Sequence, residues 1–366
     1  MKTFTAADVS RAHCLAFLAV LCLVCRVAAE PPGAAAGAPN PPPRPDRGGS
    51  GAFQDQVRPP DRSKQGGPAA KGAGPGQTRP PPPGKGGRPP MGGPAASAAE
   101  LGHANAVYLT IFNRDGDVEE TRKVLDLAES PDGIFLCREV GGFKASEVLV
   151  YYVDFSEFDG RSQKTTTRVV STADDKTFST PQAVTLDDKE IEAGRIADPS
   201  VVQLDDGRLR LYFMNTMGPN ERTTPIYSAT STDGVHFAMD DGIRLYSTDN
   251  VEVVRVGADW FMFMSNYRTN QSAVATSKDG LTWVESPSGK TVPGSGIGAC
   301  ERDGELEYYT HSGIARGLVK YGFNEQTATA DENDRMEWFS HGGAADASPV
   351  ALPDGRTFIF YKRLGG

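Results

Sequence analysis

The sequence predicts an all-β fold over its C-terminal three-quarters, a β-propeller of about five blades spanning residues 104–366, and three observations carry that prediction. From residue 104 on there is little helical periodicity, and short alternating or apolar runs recur between Gly, Asp, Asn and Pro clusters. One block returns: Asp198-Pro-Ser-Val-Val-Gln-Leu-Asp-Asp-Gly207-Arg-Leu-Arg-Leu-Tyr-Phe, then Asp346-Ala-Ser-Pro-Val-Ala-Leu-Pro-Asp-Gly355-Arg-Thr-Phe-Ile-Phe-Tyr. Each copy is a strand, a tight Asp-Gly turn and a second strand. Finally, the turn glycines Gly207, Gly257, Gly304 and Gly355 lie 50, 47 and 51 residues apart, the length of a four-stranded blade.

Taken in order, the repeat gives blades at 130–188, 196–247, 248–292 and 295–341, and a half-blade at 346–364. Residues 106–127 supply two strands, Val107 to Asn113 and Val118 to Leu127, with no inner pair of their own. They are expected to complete the last blade and close the ring, which removes an open sheet edge. The second half of each unit carries another recurring element: Ser231-Thr-Asp233-Gly-Val-His-Phe237, Ser277-Lys-Asp279-Gly-Leu-Thr-Trp283 and a degenerate Ser171-Thr-Ala-Asp174-Asp-Lys-Thr-Phe178. These resemble the Asp-box of sialidases and related propellers. There the carboxylate accepts backbone N–H groups of a turn, Gly takes a positive φ and the aromatic packs between sheets, so these aspartates belong to the fold and not to catalysis.

The N-terminus reads differently. Lys2 and Arg11 precede an apolar run from Cys14 to Cys25, and Val27-Ala28-Ala29 offers small residues for cleavage, the pattern of a secretory signal peptide over 1–29. The twelve-residue run is shorter than the ~20 residues a membrane span requires. Residues 30–103 are Pro, Gly and Ala with scattered charge, the composition of a disordered linker. The chain carries −9 overall; the signal contributes +2 and residues 30–97 contribute +5, leaving −16 on the remainder. Such an acidic domain repels phosphate backbones, which excludes nucleic acid as its natural partner. The basic linker suits either contact with an anionic surface or plain solubility. Cys137 and Cys300, the two cysteines beyond the signal, are expected on inner strands of different blades, as buried thiols.

In a propeller the innermost strands line a central channel. Counting nine residues back from the turn glycine lands on Asp132, Asp198 and Asp346, a carboxylate at one inner position in three blades. In the third blade the apolar pattern pairs Asn250 with Asp198, and Glu252 lies two residues further along, on the channel side. With the blade block and the Ser-x-Asp-Gly elements, the chain resembles the five-bladed glycoside hydrolase propellers, the clan of arabinanases, β-xylosidases (glycoside hydrolase family 43) and invertases. That resemblance implies Asp132 as base, Asp198 as the residue that tunes the acid, and Glu252 as acid. The match departs from the family at blade three, where Gly-Pro usually follows the Glu and this chain has Val251-Glu252-Val253.

Glycosidic cleavage takes one protonated and one ionised carboxyl, and a third negative charge helps the acid keep its proton. Asp346, Arg195, His311 and Arg316 are candidate substrate contacts, each with a structural alternative: strand shaping for Asp346, ordinary surface positions for the others. No cofactor or metal-ligand set is read, although the resemblance allows a structural Ca²⁺ in the channel with His311 beside it. The expected protein is thus a secreted, monomeric glycosidase acting on a carbohydrate. The alternatives are a non-catalytic carbohydrate-binding or protein-interaction propeller and, ranked last, a sialidase, which would need six blades.

Overall fold

A computed structural model describes residues 106–363 apart from 158–164, 188, 191–195, 215–223, 288–289, 312–316 and 339–342. The predicted signal and linker and the candidates Arg195 and Arg316 lie outside the described residues. Among the described residues there is no helix, and therefore none long and apolar enough to cross a membrane.

The strands form five sheets, antiparallel within each blade, arranged as a five-bladed β-propeller. Blade one opens on Ala128–Phe135, blade two on Ala197–Gln203, blade three on Val251–Val256, blade four on Gly298–Arg302 and blade five on Ala344–Ala351. Each of these inner strands pairs with the next strand in sequence, and the blade continues outward. The last blade is composite. Thr357–Arg363 pairs on its outer side with Ala106–Phe112, Val107 opposite Lys362, and Val118–Asp126 completes the sheet. The N-terminal strand pair therefore closes the ring. A second tie crosses from blade one to blade two, where Thr185–Leu186 runs parallel to His236–Phe237 at the outer edge.

Apolar residues alternate along the strands so that each blade buries both faces against its neighbours. Leu149, Tyr151 and Val169 of blade one meet Val201, Leu211 and Phe237 of blade two, and comparable clusters fill the other junctions. The Ser-x-Asp-Gly elements explain part of this packing. Asp233 Oδ1 accepts the N–H groups of Val235 and His236 at 2.9 and 2.8 Å, and Asp279 Oδ1 those of Leu281 and Thr282 at 2.8 and 2.7 Å. Gly234 and Gly280 turn the chain at φ +79° and +69°. The turn then presents its carbonyl to the preceding blade: Tyr151 donates to Gly234 O and Tyr212 to Gly280 O, both at 2.7 Å. The aromatics that end the motif, Phe237 and Trp283, meet the same tyrosines edge-on. Repetition in sequence thus becomes repetition of one inter-blade joint.

Cys300 lies buried in the inner strand of blade four, but Cys137 is exposed, in the turn after the first strand of blade one, and no disulfide joins the two. The expectation of a second buried thiol fails because blade one ends its inner strand at Phe135.

Candidate active site at the channel mouth

The inner strands bring two layers of side chains to the channel, and strand register decides which residue belongs to which. Tyr151 and Tyr212 make the same bond to the next blade's turn, and they stand opposite Asp132 and Ser200. Asp132 is therefore equivalent to Ser200, and Asp198 to Ser130. The backbone agrees: Ser130, Asp198 and Asp346, near the starts of their strands, and Gly296, just before its own, have φ +46°, +50°, +50° and +58°. The outer layer is Ser130, Asp198, Asn250, Gly296 and Asp346; the layer two residues deeper is Asp132, Ser200, Glu252, Gly298 and Ser348.

This corrects the expectation that Asp132, Asp198 and Asp346 share one position. Blade one reaches Gly141 through a longer hairpin, closed by the Val140–Phe143 bridge, so counting back from that glycine lands two residues too deep. Aligning Pro131 with Pro199 instead of the glycines finds the true register.

The deeper layer is a belt of joints between successive blades. Asp132 Oδ2 accepts the N–H of Val201 at 2.6 Å, Ser200 Oγ that of Val253 at 2.9 Å, Glu252 Oε1 that of Ala299 at 3.1 Å, and Ser348 Oγ that of Gly133 at 2.7 Å. At the remaining junction, between blades four and five, the backbones themselves meet: a Cβ on Gly298 would lie 1.8 Å from the carbonyl oxygen of Ala347. Asp132 also takes a bond from the Ser348 hydroxyl at 3.3 Å. Asp132 and Glu252 are buried, at 3% and 7% exposure. Burial pushes the Asp132 carboxyl up to about 8, and burial with the nearby Asp132 charge holds Glu252 well above the usual carboxylate range.

The outer layer is more open at Ser130, Asp198 and Asp346. Asp198 and Asp346 are half-buried, on blades two and five, and interact electrostatically. Ser130 donates to Asp198 Oδ1 at 3.0 Å, and Tyr267 to Asp346 Oδ1 at 3.2 Å. Burial and then the Asp346 charge raise Asp198 to about 7. Burial and the Glu129 charge also raise Asp346, while Lys362 and the bond from the Tyr267 hydroxyl oppose the rise. Lys362 is itself paired with Glu129 at the start of blade one. His311, half-buried and held neutral by burial, stacks on Tyr267 with ring centres 5.8 Å apart and planes 3° from parallel.

Of the predicted site residues, the structure therefore groups Asp198, Asp346 and His311 at the mouth, and Asp132 with Glu252 beneath it. Sequence reasoning did not single out Tyr267, Ser130 or the serines of the belt. The proline register pointed to Ser130; nothing in the local sequence marks Tyr267, which arrives from a hairpin turn. Among the described residues no cluster of His, Cys, Asp and Glu is arranged to hold a metal ion.

Fold and site together define a five-bladed propeller with an acidic channel mouth. No protein-family model matches the chain, and no curated protein sequence matches it. Solved structures similar in fold include glycoside hydrolases. The family 32 β-fructofuranosidase of Bombyx mori is 15% identical over 65% of this chain, at a TM-score of 0.46. A family 117 glycoside hydrolase of Zobellia galactanivorans is 9% identical over 71% of this chain and 90% of its own, also at 0.46. An α-L-arabinanase of Penicillium chrysogenum, complexed with arabinobiose, is 13% identical over 66% of this chain and 81% of its own, at 0.40. The chain spans 55% of the length of the Bombyx enzyme.

Proposed function

We propose that this chain is a secreted glycoside hydrolase that cleaves an extracellular carbohydrate at the channel mouth, with Asp198 as general acid and Asp346 as its ionised partner. The observation that carries the reading is the pair itself: two half-buried carboxyls from different blades, Asp198 bonded by Ser130 and Asp346 by Tyr267, close enough for burial and the Asp346 charge to raise Asp198 to about 7. General acid–base cleavage needs one carboxyl that keeps its proton beside one that is ionised. Asp198 gives its proton to the leaving glycosidic oxygen as the C–O bond breaks. Asp346 takes a proton from the water whose oxygen bonds to the anomeric carbon. Asp132 and Glu252, buried and engaged with the next blade's backbone, serve the ring beneath. The N-terminal charge and apolar pattern of residues 1–29 supports export.

A second reading is favoured by Ser130, which gives blade one a half-buried neutral polar group beside Asp198 at the mouth: a carbohydrate-binding propeller without turnover. One experiment separates the two. The full chain, Asp198→Asn and Asp346→Asn are assayed on a panel of aryl glycosides and polysaccharides, with glycan binding measured in parallel. Hydrolysis is expected to fall by about 10²–10⁴-fold in each variant while binding persists. Binding without turnover in the wild type supports the second reading, and neither binding nor turnover refutes both.

A further inference from the structure

Tyr267 sits in the hairpin turn after Asp259–Asn266 of blade three, yet its hydroxyl reaches Asp346 of blade five. The reach crosses blade four, and it is open because the mouth residue there is Gly296. A Cβ at that position would come within 3.0 Å of the Tyr267 hydroxyl and 3.3 Å of His311 Cδ2, and the backbone at φ +58° is itself unfavourable for a side chain. The turn is fixed at its base, where Asp249 Oδ2 accepts the Tyr267 N–H at 2.9 Å and Asn266 Oδ1 accepts those of Arg268 and Thr269 at 3.1 and 3.2 Å. One ring face lies on His311, whose Nε2 is 3.3 Å from Ser295 Oγ. The residue is nevertheless 44% exposed. An aromatic ring this accessible, clamped at its backbone, on one face and at its hydroxyl, is a positioning device.

We propose that Tyr267 is the positioning residue of this site: by donating to Asp346 it keeps that carboxylate ionised and oriented, and so assigns the base role to blade five and the acid role to Asp198. The role assignment rests on the hydrolase reading above; the electrostatic effect does not. The groups that face Asp346 are Asp198, Glu129, Lys362, His311 and Tyr267. Glu129 is paired with Lys362, and His311 is neutral, so the Tyr267 hydroxyl is the neutral donor that bonds directly to an Asp346 oxygen. Burial, then the Asp346 and Asp198 charges, push the phenol far above its ordinary range, so it stays a donor throughout the working pH.

The test is a pH titration of the full chain carrying ¹³C-labelled aspartate carboxyls, wild type against Tyr267→Phe. Loss of a hydrogen bond to a charged oxygen is expected to raise the Asp346 midpoint by about one pH unit. An Asp346 midpoint that stays put, or moves down, overturns the proposal. Should Tyr267→Phe fail to fold, the wild-type Tyr267 Cζ resonance must inflect at the Asp346 midpoint and lose that inflection in Asp346→Asn; a flat response overturns it. On a hydrolysed substrate, the acid limb of kcat/KM should move up with the midpoint in Tyr267→Phe, whereas a uniform loss at every pH would be the mark of a merely structural residue and overturns the proposal. A shifted midpoint in a protein that hydrolyses nothing upholds the electrostatic role and refutes the hydrolase reading alone.

Discussion

Replacing Asp132 by Asn distinguishes a carboxyl that holds the ring from one that does chemistry. In the folded protein its proton stays on to about pH 8, against 3.8 for the ordinary side chain. Between those values the folded state binds one more proton than the unfolded chain. The stability tied to this group is fully present below about pH 4 and is lost as pH rises towards 8, by about 1.4 kcal/mol for each unit. Asparagine keeps the shape, an acceptor for Val201 N–H and a donor facing Ser348, with nothing to titrate. Urea unfolding at pH 4.5, 5.5, 6.5 and 7.5 should therefore show Asp132→Asn gaining about 1.4 kcal/mol per unit on the wild type. Glu252, buried in its own right, leaves a slope of its own in both proteins. Asp132→Ala should lose the slope as well but start lower, by about 1–3 kcal/mol, because the Val201 N–H is left buried without an acceptor. Parallel curves for wild type and Asp132→Asn would mean that this carboxyl is ionised in the folded protein, and the structural assignment would fall.

Other perturbations probe the ring and its joints. Gly298→Ala drives a methyl into the Ala347 carbonyl; a loss of about 1–3 kcal/mol or more is expected, read by calorimetry as a fall in Tm of about 2–4 °C per kcal/mol. Asp279→Ala removes the acceptor of two turn N–H groups and should cost about 1–2 kcal/mol at pH 7. Those N–H groups hold the Asp279 carboxyl down to about 2, so its contribution is present above pH 4 and lost as pH falls towards 2, and wild type and variant should converge there. Starting the chain at Ala128 leaves Thr357–Arg363 without its outer partner; size-exclusion chromatography should show aggregates in place of a single species.

Most of the fold was legible because a propeller repeats itself. The spacing of the turn glycines counts the blades, and the orphan strands at 106–127 against a half-blade at 346–364 imply the seam that Val107 and Lys362 make. The mouth was legible only in part. Asp198 and Asp346 share a block and a register, but blade one changes the length of its hairpin, and a fixed count then mistakes Asp132 for their equivalent. Tyr267 was invisible for a different reason. It acts across blade four on blade five, and no local pattern records that Gly296 leaves the space through which it passes.

The seam has a kinetic side. Strand Ala106–Phe112 is made before any complete blade, but the partner that covers its edge, Thr357–Arg363, follows the other four blades. Until that segment emerges, the apolar strand Ala106–Phe112 waits with an open flank while four blades stack beside it, a state that favours association with other chains. Pairings this distant in sequence also slow the search for the native ring. Completion is then abrupt: one set of backbone bonds turns an open arc, free to splay at every joint, into a hoop in which no blade can move outward unless the seam lets go.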